Sequence, residues 1–277
     1  MSLFRKVVVA GAGAGLAVGA LRWLQASPRA KDLERTNFRG RTVTLAGGPA
    51  YAVSAAVSSA IGAPDTSSAV AALSVGLSAG AVGLYDDIVG NDPGQRVKGF
   101  AGHLGALREG KVTSGLIKVA GIGAAGLLAS SLITKGGRGG LRTAASVLVG
   151  AGVIAGSANL ANLLDLRPGR AIKAGLIVGT PLVVGEHGGM AAGPLGAAAG
   201  LVRFDLGEEI MLGDSGANAL GALLGTAYVA RTGLLGRLVA LAGLGALTAA
   251  SERVSFTKVI EATPGLRELD ALGRRSA

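Results

Sequence analysis

The sequence predicts an all-α fold: a polytopic bundle of about nine to ten transmembrane helices with a cleft at its cytoplasmic face. Three observations predict it. Of the 277 residues, 49% are hydrophobic and only 16% are charged, against roughly 25% charged in an ordinary soluble domain. The apolar residues fall into runs approaching the roughly 20 that a bilayer crossing needs. There are also 48 glycines, and in lipid small residues let helices pack closely. The net charge of +10 does not point to nucleic acid. The basic residues stand in loops between apolar runs, not along one aromatic-bearing stripe. The chain has no Cys, which excludes disulfides, thiolate metal sites and cysteine nucleophiles. Its two imidazoles are His103 and His187.

The first run, 7–24, follows Arg5 and Lys6 in the manner of a signal peptide. No small-residue cleavage site follows and the run is long enough to span, so it reads as a retained helix. Its glycines do not make a dinucleotide fingerprint, because after Gly11 and Gly13 the third position is Leu16. Further spans are expected at 45–62, 66–85, 114–133, 141–161, 171–185, 189–202, 216–230 and 235–252. The sixth and seventh read as a broken pair around Glu186-His187-Gly188-Gly189. Residues 1–252 form one integral membrane domain. Residues 253–277 form a charged cytoplasmic tail, expected as a surface helix with Leu266, Leu269 and Leu272 on one side.

The loops alternate in kind. Those at 25–44, 86–113, 162–173 and 203–215, with the tail, are long and basic, and the others are short. The positive-inside rule puts the first set in the cytoplasm, with the N-terminus outside. Arg5, Lys6, Lys135, Arg138 and Arg142 run against that assignment.

Three polar clusters stand at span ends. They are Gly83-Leu84-Tyr85-Asp86-Asp87-Ile88-Val89-Gly90, Asn159-x-x-Asn162-x-x-Asp165, and Gly213-Asp214-Ser215-Gly216-Ala217-Asn218. Two spans separate each from the next, so parity places all three on one side, and the charge rule makes that side the cytoplasm. An acid at the membrane centre costs about 2.5–3.5 kcal/mol, so residues of this kind need a reason. Asp86 and Asp87 are adjacent anions that a divalent cation would relieve. Oxygen ligands without Cys suit Mg²⁺, or Mn²⁺, rather than Zn²⁺. Such ions complete their shells with water and substrate phosphates, which predicts a phosphorylated substrate. Asn159, Asn162 and Asp165 share one helix face with some drift and can either bind a polar head group or join helices. Gly213 and Gly216 permit close backbone approach beside Asp214, which can also cap the eighth span.

These clusters, with Asn37-Phe38-Arg39-Gly40 and Gly47-Gly48 before them, resemble the polyprenyl-phosphate N-acetylhexosamine-1-phosphate transferase family, over residues 35–228. The resemblance implies transfer of a sugar-1-phosphate from a UDP-sugar to a polyprenyl phosphate, with release of UMP. It implies Mg²⁺, a site facing the cytoplasm from the plasma (inner) membrane, and a place in envelope glycolipid synthesis and cell wall biogenesis. By the same resemblance, Asp214 and Asp87 hold the metal. Asp86, Asp87 and Asp165 are the catalytic carboxylates. Asn159, Asn162, Lys98 and Arg39 contact substrate, while Arg35, Arg41 and Arg96 sit in loops where they can neutralise phosphates. A homo-oligomer is left open.

Two departures from the family stand out. The family continues its second cluster as Asp-Gly-x-Asp-Gly. Here Leu166-Arg167-Pro168-Gly169 follows Asp165, so Pro168 stands where a second acid is expected. The His-rich late loop of the pentapeptide translocase branch is also missing, since Ser251-Glu252-Arg253-Val254-Ser255-Phe256 has no His. The competing readings are a silent relative acting as a membrane scaffold, and a transporter. A transporter expects its acids deep within broken helices, whereas here they stand at span ends.

Overall fold

A computed structural model describes residues 1–90, 105, 113–134 and 140–275. Among these, the apolar runs form α1 (Leu3–Gln25), α2 (Gly47–Ile61), α3 (Thr66–Val89), α4 (Ser114–Ile133), α5 (Gly140–Leu164), α6 (Arg170–Gly179), α7 (Gly188–Leu206), α8 (Gly213–Arg231) and α9 (Leu234–Ser251). Short 3₁₀ turns occupy Ala30–Leu33 and Thr180–Val183, and the second of these extends the brief α6. The tail folds as α10 (Phe256–Ala262) and α11 (Leu266–Ala271). Several helix starts are set by a capping side chain. Ser2 accepts the Arg5 N–H at 3.4 Å, Asp65 that of Ser68 at 2.8 Å, and Thr113 that of Leu116 at 3.2 Å.

Five helices, α1, α3, α4, α5 and α9, are long and apolar enough to cross a membrane. Much of their apolar surface faces outward. On α9, Leu235, Leu238, Val239 and Leu247 are exposed, a surface suited to lipid rather than water. The remaining four are shorter or less apolar, and α2, α7 and α8 are also the most deeply enclosed. At the centre, α8 is packed by α2, α3 and α5, while α7 packs on α1 and α2. Small residues make this packing possible: a Cβ on Gly13 of α1 would run into the Gly193 carbonyl of α7. Pro194 within α7 has no N–H for the Met190 carbonyl one turn back. Ser59 of α2 donates its hydroxyl to that carbonyl instead, at 2.7 Å. Buried Tyr51 donates to the Pro194 carbonyl at 3.2 Å.

The all-α expectation needs one addition. Between α1 and α2 lies an antiparallel hairpin, β1 (Glu34–Thr36) and β2 (Thr42–Thr44), with Arg35 paired to Val43. Its tip is an Asx turn in which the Asn37 side-chain oxygen accepts the N–H groups of Arg39 and Arg41 at 2.8 and 3.0 Å. The turn closes through Gly40 at φ +76°. The hairpin is fastened to the segment before α8: Thr44 donates to the Glu209 carbonyl at 3.2 Å, and Met211 donates to the Thr44 carbonyl at 2.9 Å.

Candidate active site

The three polar clusters meet at the N-terminus of α8. The first N–H groups of a helix have no partner within it and carry partial positive charge. Asp87, from the last turn of α3, supplies both carboxylate oxygens to them. One accepts the Asp214 N–H at 2.9 Å and the other the Ser215 N–H at 3.0 Å. The Gly213 N–H bonds to Asp165, which follows the end of α5. The closeness depends on glycine. Gly213 has φ +58°, and a Cβ there would lie 2.9 Å from both Asp87 oxygens. A Cβ on Gly83 of α3 would run into the Asp214 carbonyl.

Asp86 and Asp214 share a cation. Lys118, in the second turn of α4, donates to Asp86 at 2.6 Å and also to Asp214. The ammonium thus sits between two carboxylates brought from α3 and α8. Asp165 has its carboxyl pushed well above the usual range by burial, by Asp205, and by Asp214 and Asp87, against the opposing Gly213 N–H. Four carboxylates therefore crowd one helix end.

A cavity of about 690 Å³ opens here, lined by Asp87, Asn162, Asp165 and Asp214 together with Arg35, Thr36, Met211 and others. Arg35 is held by the Asp32 and Glu34 carbonyls at 3.0 and 2.7 Å and reaches the Asp87 carbonyl at 3.4 Å. Two expected substrate contacts stand elsewhere. Asn159 donates to Thr248 of α9 at 3.1 Å, so it joins helices. Helical drift over six residues turns it about 120° from Asp165, and of the three cluster residues only Asn162 and Asp165 line the cavity. Arg39 pairs with Glu208 at 2.8 Å. Lys98 and Arg96 lie outside the described residues.

Two partners were not expected from sequence. Glu208 is buried and has φ +55°. It accepts from Asn37 at 2.7 Å as well as from Arg39, so a single carboxylate organises the hairpin tip. Asp205, near the end of α7, is buried and accepts the Gly169 N–H at 2.8 Å. A carboxylate from another helix therefore reaches the loop in which Pro168 replaces the expected acid. A smaller cavity of about 190 Å³ adjoins the first, and its lining includes Phe38, Asp165, Pro168, Asp205 and Glu208. The Phe38 ring carries the Arg39 and Arg167 guanidinium groups at 5.4 and 4.7 Å.

For a divalent cation, the donor chemistry fits in kind. Asp86 and Asp214 already converge on one positive charge, and oxygen donors in small number suit Mg²⁺ when substrate phosphates complete the shell. Among the described residues, no group of three or more His, Asp or Glu side chains is arranged to hold a metal by itself. No family model and no curated protein matches this chain.

Proposed function

We propose that this chain is a Mg²⁺-dependent membrane transferase, with Mn²⁺ as a substitute. It moves a sugar-1-phosphate from a UDP-sugar to a polyprenyl phosphate and releases UMP. The observation that carries the reading is the meeting of Asp87, Asp165 and Asp214 at the α8 N-terminus over one cavity that Arg35 also lines, with Asp86 and Lys118 joined to Asp214 beside it. Carboxylates gathered there serve poorly as structure alone, because Asp87 and Asp165 already take the Gly213, Asp214 and Ser215 N–H groups and Asp86 and Asp214 exceed that need. They serve well where a metal and phosphates must be received. In this reading α1 to α9 each cross the bilayer, the N-terminus lies outside, and the cavity faces the cytoplasm.

In the reaction, an oxygen of the acceptor phosphate attacks the phosphorus that bears the sugar. The bond from that phosphorus to the UMP oxygen breaks, and UMP leaves. Asp214 would hold the metal with Asp86 in place of the expected Asp87, whose two oxygens accept the Asp214 and Ser215 N–H groups; when bound, the metal would neutralise charge on the phosphates. Asp87 fixes the α8 N-terminus and so sets the position of Asp214. Lys118 and Arg35 offset the negative charge of two phosphorylated substrates. Asn162 and Asp165 face the donor. The acceptor's tail stays among the lipid-facing helices while its phosphate reaches the interface.

A second reading is a silent relative that serves as a membrane scaffold. It is favoured by Lys118, which already occupies the position between Asp86 and Asp214. The test is purified protein with Mg²⁺, polyprenyl phosphate and a panel of UDP-sugars, followed by UMP release. Turnover with at least one donor supports the transferase. Folded protein that turns over none supports the scaffold.

A further inference from the structure

The tail docks in an unexpected way. Of the tail's leucines, Leu266 and Leu269 of α11 and Leu272 just after it are outside, with Leu272 65% exposed, whereas Asp270 is only 8% exposed. Asp270 accepts from Arg170 Nε at 2.8 Å and from Arg170 Nη2 at 2.9 Å, a bidentate pair, and from Arg274 at 2.5 Å. The same Arg170 donates to Thr257 of α10 at 2.8 Å. Lys173, one turn further along α6, donates to the carbonyls of Leu269, Asp270 and Leu272 at the end of α11. Both tail helices are thus tied to the first turn of α6.

What the tail grips lies next to the candidate site. Arg274 donates to the Pro168 carbonyl at 2.9 Å. Arg275 donates to the Gly207 carbonyl at 3.3 Å, and its own carbonyl accepts from Arg39 at 3.2 Å. These three points belong to the loop after α5, the turn after α7 and the hairpin tip. Residues of all three line the smaller cavity. The loop after α5 begins with Asp165 and ends where Arg170 opens α6. Its far end is held by the tail, and its near end holds Asp165 against the Gly213 N–H.

We propose that Asp270 is a positioning residue: through Arg170 and Arg274 it latches the 165–170 loop and thereby sets Asp165 for binding the nucleotide part of the donor. The proposal rests on the transferase reading for its functional half, but its structural half can be measured without substrate. Full-length protein, Asp270→Asn and Asp270→Glu are compared by amide hydrogen exchange and by UMP binding, with Asp214→Asn alongside. In Asp270→Asn, exchange across 165–173 rises about tenfold while α8 keeps its protection. UMP binding weakens about tenfold, the donor KM rises by a similar factor, and kcat stays within about twofold. Asp270→Glu restores most of both. Unchanged exchange across 165–173 overturns the latch. Faster exchange with unaltered UMP binding overturns the positioning role. If the unmodified protein fails to bind UMP, the transferase reading and the positioning role built on it both fall, while the exchange arm still decides whether the tail holds the loop.

Discussion

The two ends of α8 are served in opposite ways. Its N-terminus meets the carboxylates of Asp87 and Asp165, with Asp214 and Asp86 beside them around Lys118. Its C-terminus meets one guanidinium. Arg237, buried at the start of α9, donates to the carbonyls of Val229 and Thr232 at 2.8 and 3.1 Å. It also donates to the Ser146 carbonyl and hydroxyl, each at 2.9 Å, and to the Thr134 hydroxyl at 2.8 Å. Both arrangements suit the helix dipole, which favours anions at the first turn and cations at the last. They differ in what remains unsatisfied. The guanidinium end is closed, with each of the three guanidinium nitrogens donating to protein oxygens. The carboxylate end is overfull: it holds more negative charge than one helix end needs and opens on a cavity. The closed end reads as structure, and the overfull end reads as a site.

The same contrast explains Lys6, one of the cations that run against the charge rule, and with it Arg231. Lys6 donates to the Gly185 carbonyl at 2.8 Å, and Arg231 donates to the Pro181 carbonyl at 2.9 Å. Both belong to the Arg237 end of the bundle. They hold the chain ends of helices rather than declare a side of the membrane.

The contrast can be broken most sharply at Lys118. Lys118→Met leaves Asp86 and Asp214 facing one another without their shared cation. UMP release falls about a hundredfold, a loss like that of one preorganised charge in a dry site. Near-normal turnover would make Lys118 a folding device. Arg237→Met is the counterpart. It leaves several carbonyls without a donor, at about 1–3 kcal/mol for each buried group left unsatisfied, so the thermal midpoint drops. Turnover per folded molecule stays within about twofold, because the residue lies at the far end of the helix from the site. Comparable activity losses in the two variants would erase the distinction.

Asn162 and Asn159 give a finer comparison within one helix face. Asn162→Ala weakens UMP binding about tenfold, the scale of one buried polar contact. Asn159→Ala leaves binding unchanged and costs a little stability through Thr248. The smallest effect is one of pH. Burial alone would raise the Asp270 carboxyl, but the hydrogen bonds and charges of Arg170 and Arg274 outweigh it and hold the group below the usual carboxylate range. A depressed folded value means that the contribution is fully present above the ordinary carboxylate range and lost as pH falls through the lowered value. Protease resistance of the tail is therefore level at neutral and mildly acid pH and fails only in stronger acid. Failure near neutrality would point to a different anchor.

Much of the site was legible because parity and short motifs are local signals. Apolar runs located the helices, and their alternation placed Asp86, Asp87, Asp165 and Asp214 at one end of the bundle. The rest depends on contacts that spacing does not carry. Lys118, a single charge early in an apolar run, looks like a marker of membrane side until α3 and α8 close around it. Strands of three residues leave no period to detect, so the hairpin was hidden, and Asn37 and Gly40, which form its turn, were read only as part of a motif. The rotation of Asn159 toward α9 depends on which neighbour α5 meets. In the tail the leucine spacing suggested an apolar face, but the ion pairs of Asp270 decide the docking, and no pattern within the tail reveals Arg170.

The most direct measurement places the two ends of α8 side by side. Full-length protein, Asp214→Asn and Arg237→Met are purified in one detergent with Mg²⁺, polyprenyl phosphate and UDP-sugars, and UMP release is read per folded molecule. The account predicts turnover in the unmodified protein, a loss of about a thousandfold in Asp214→Asn, and nearly unchanged turnover in Arg237→Met. Folded, unmodified protein that releases no UMP, or an Asp214→Asn variant as active as the parent, would contradict it.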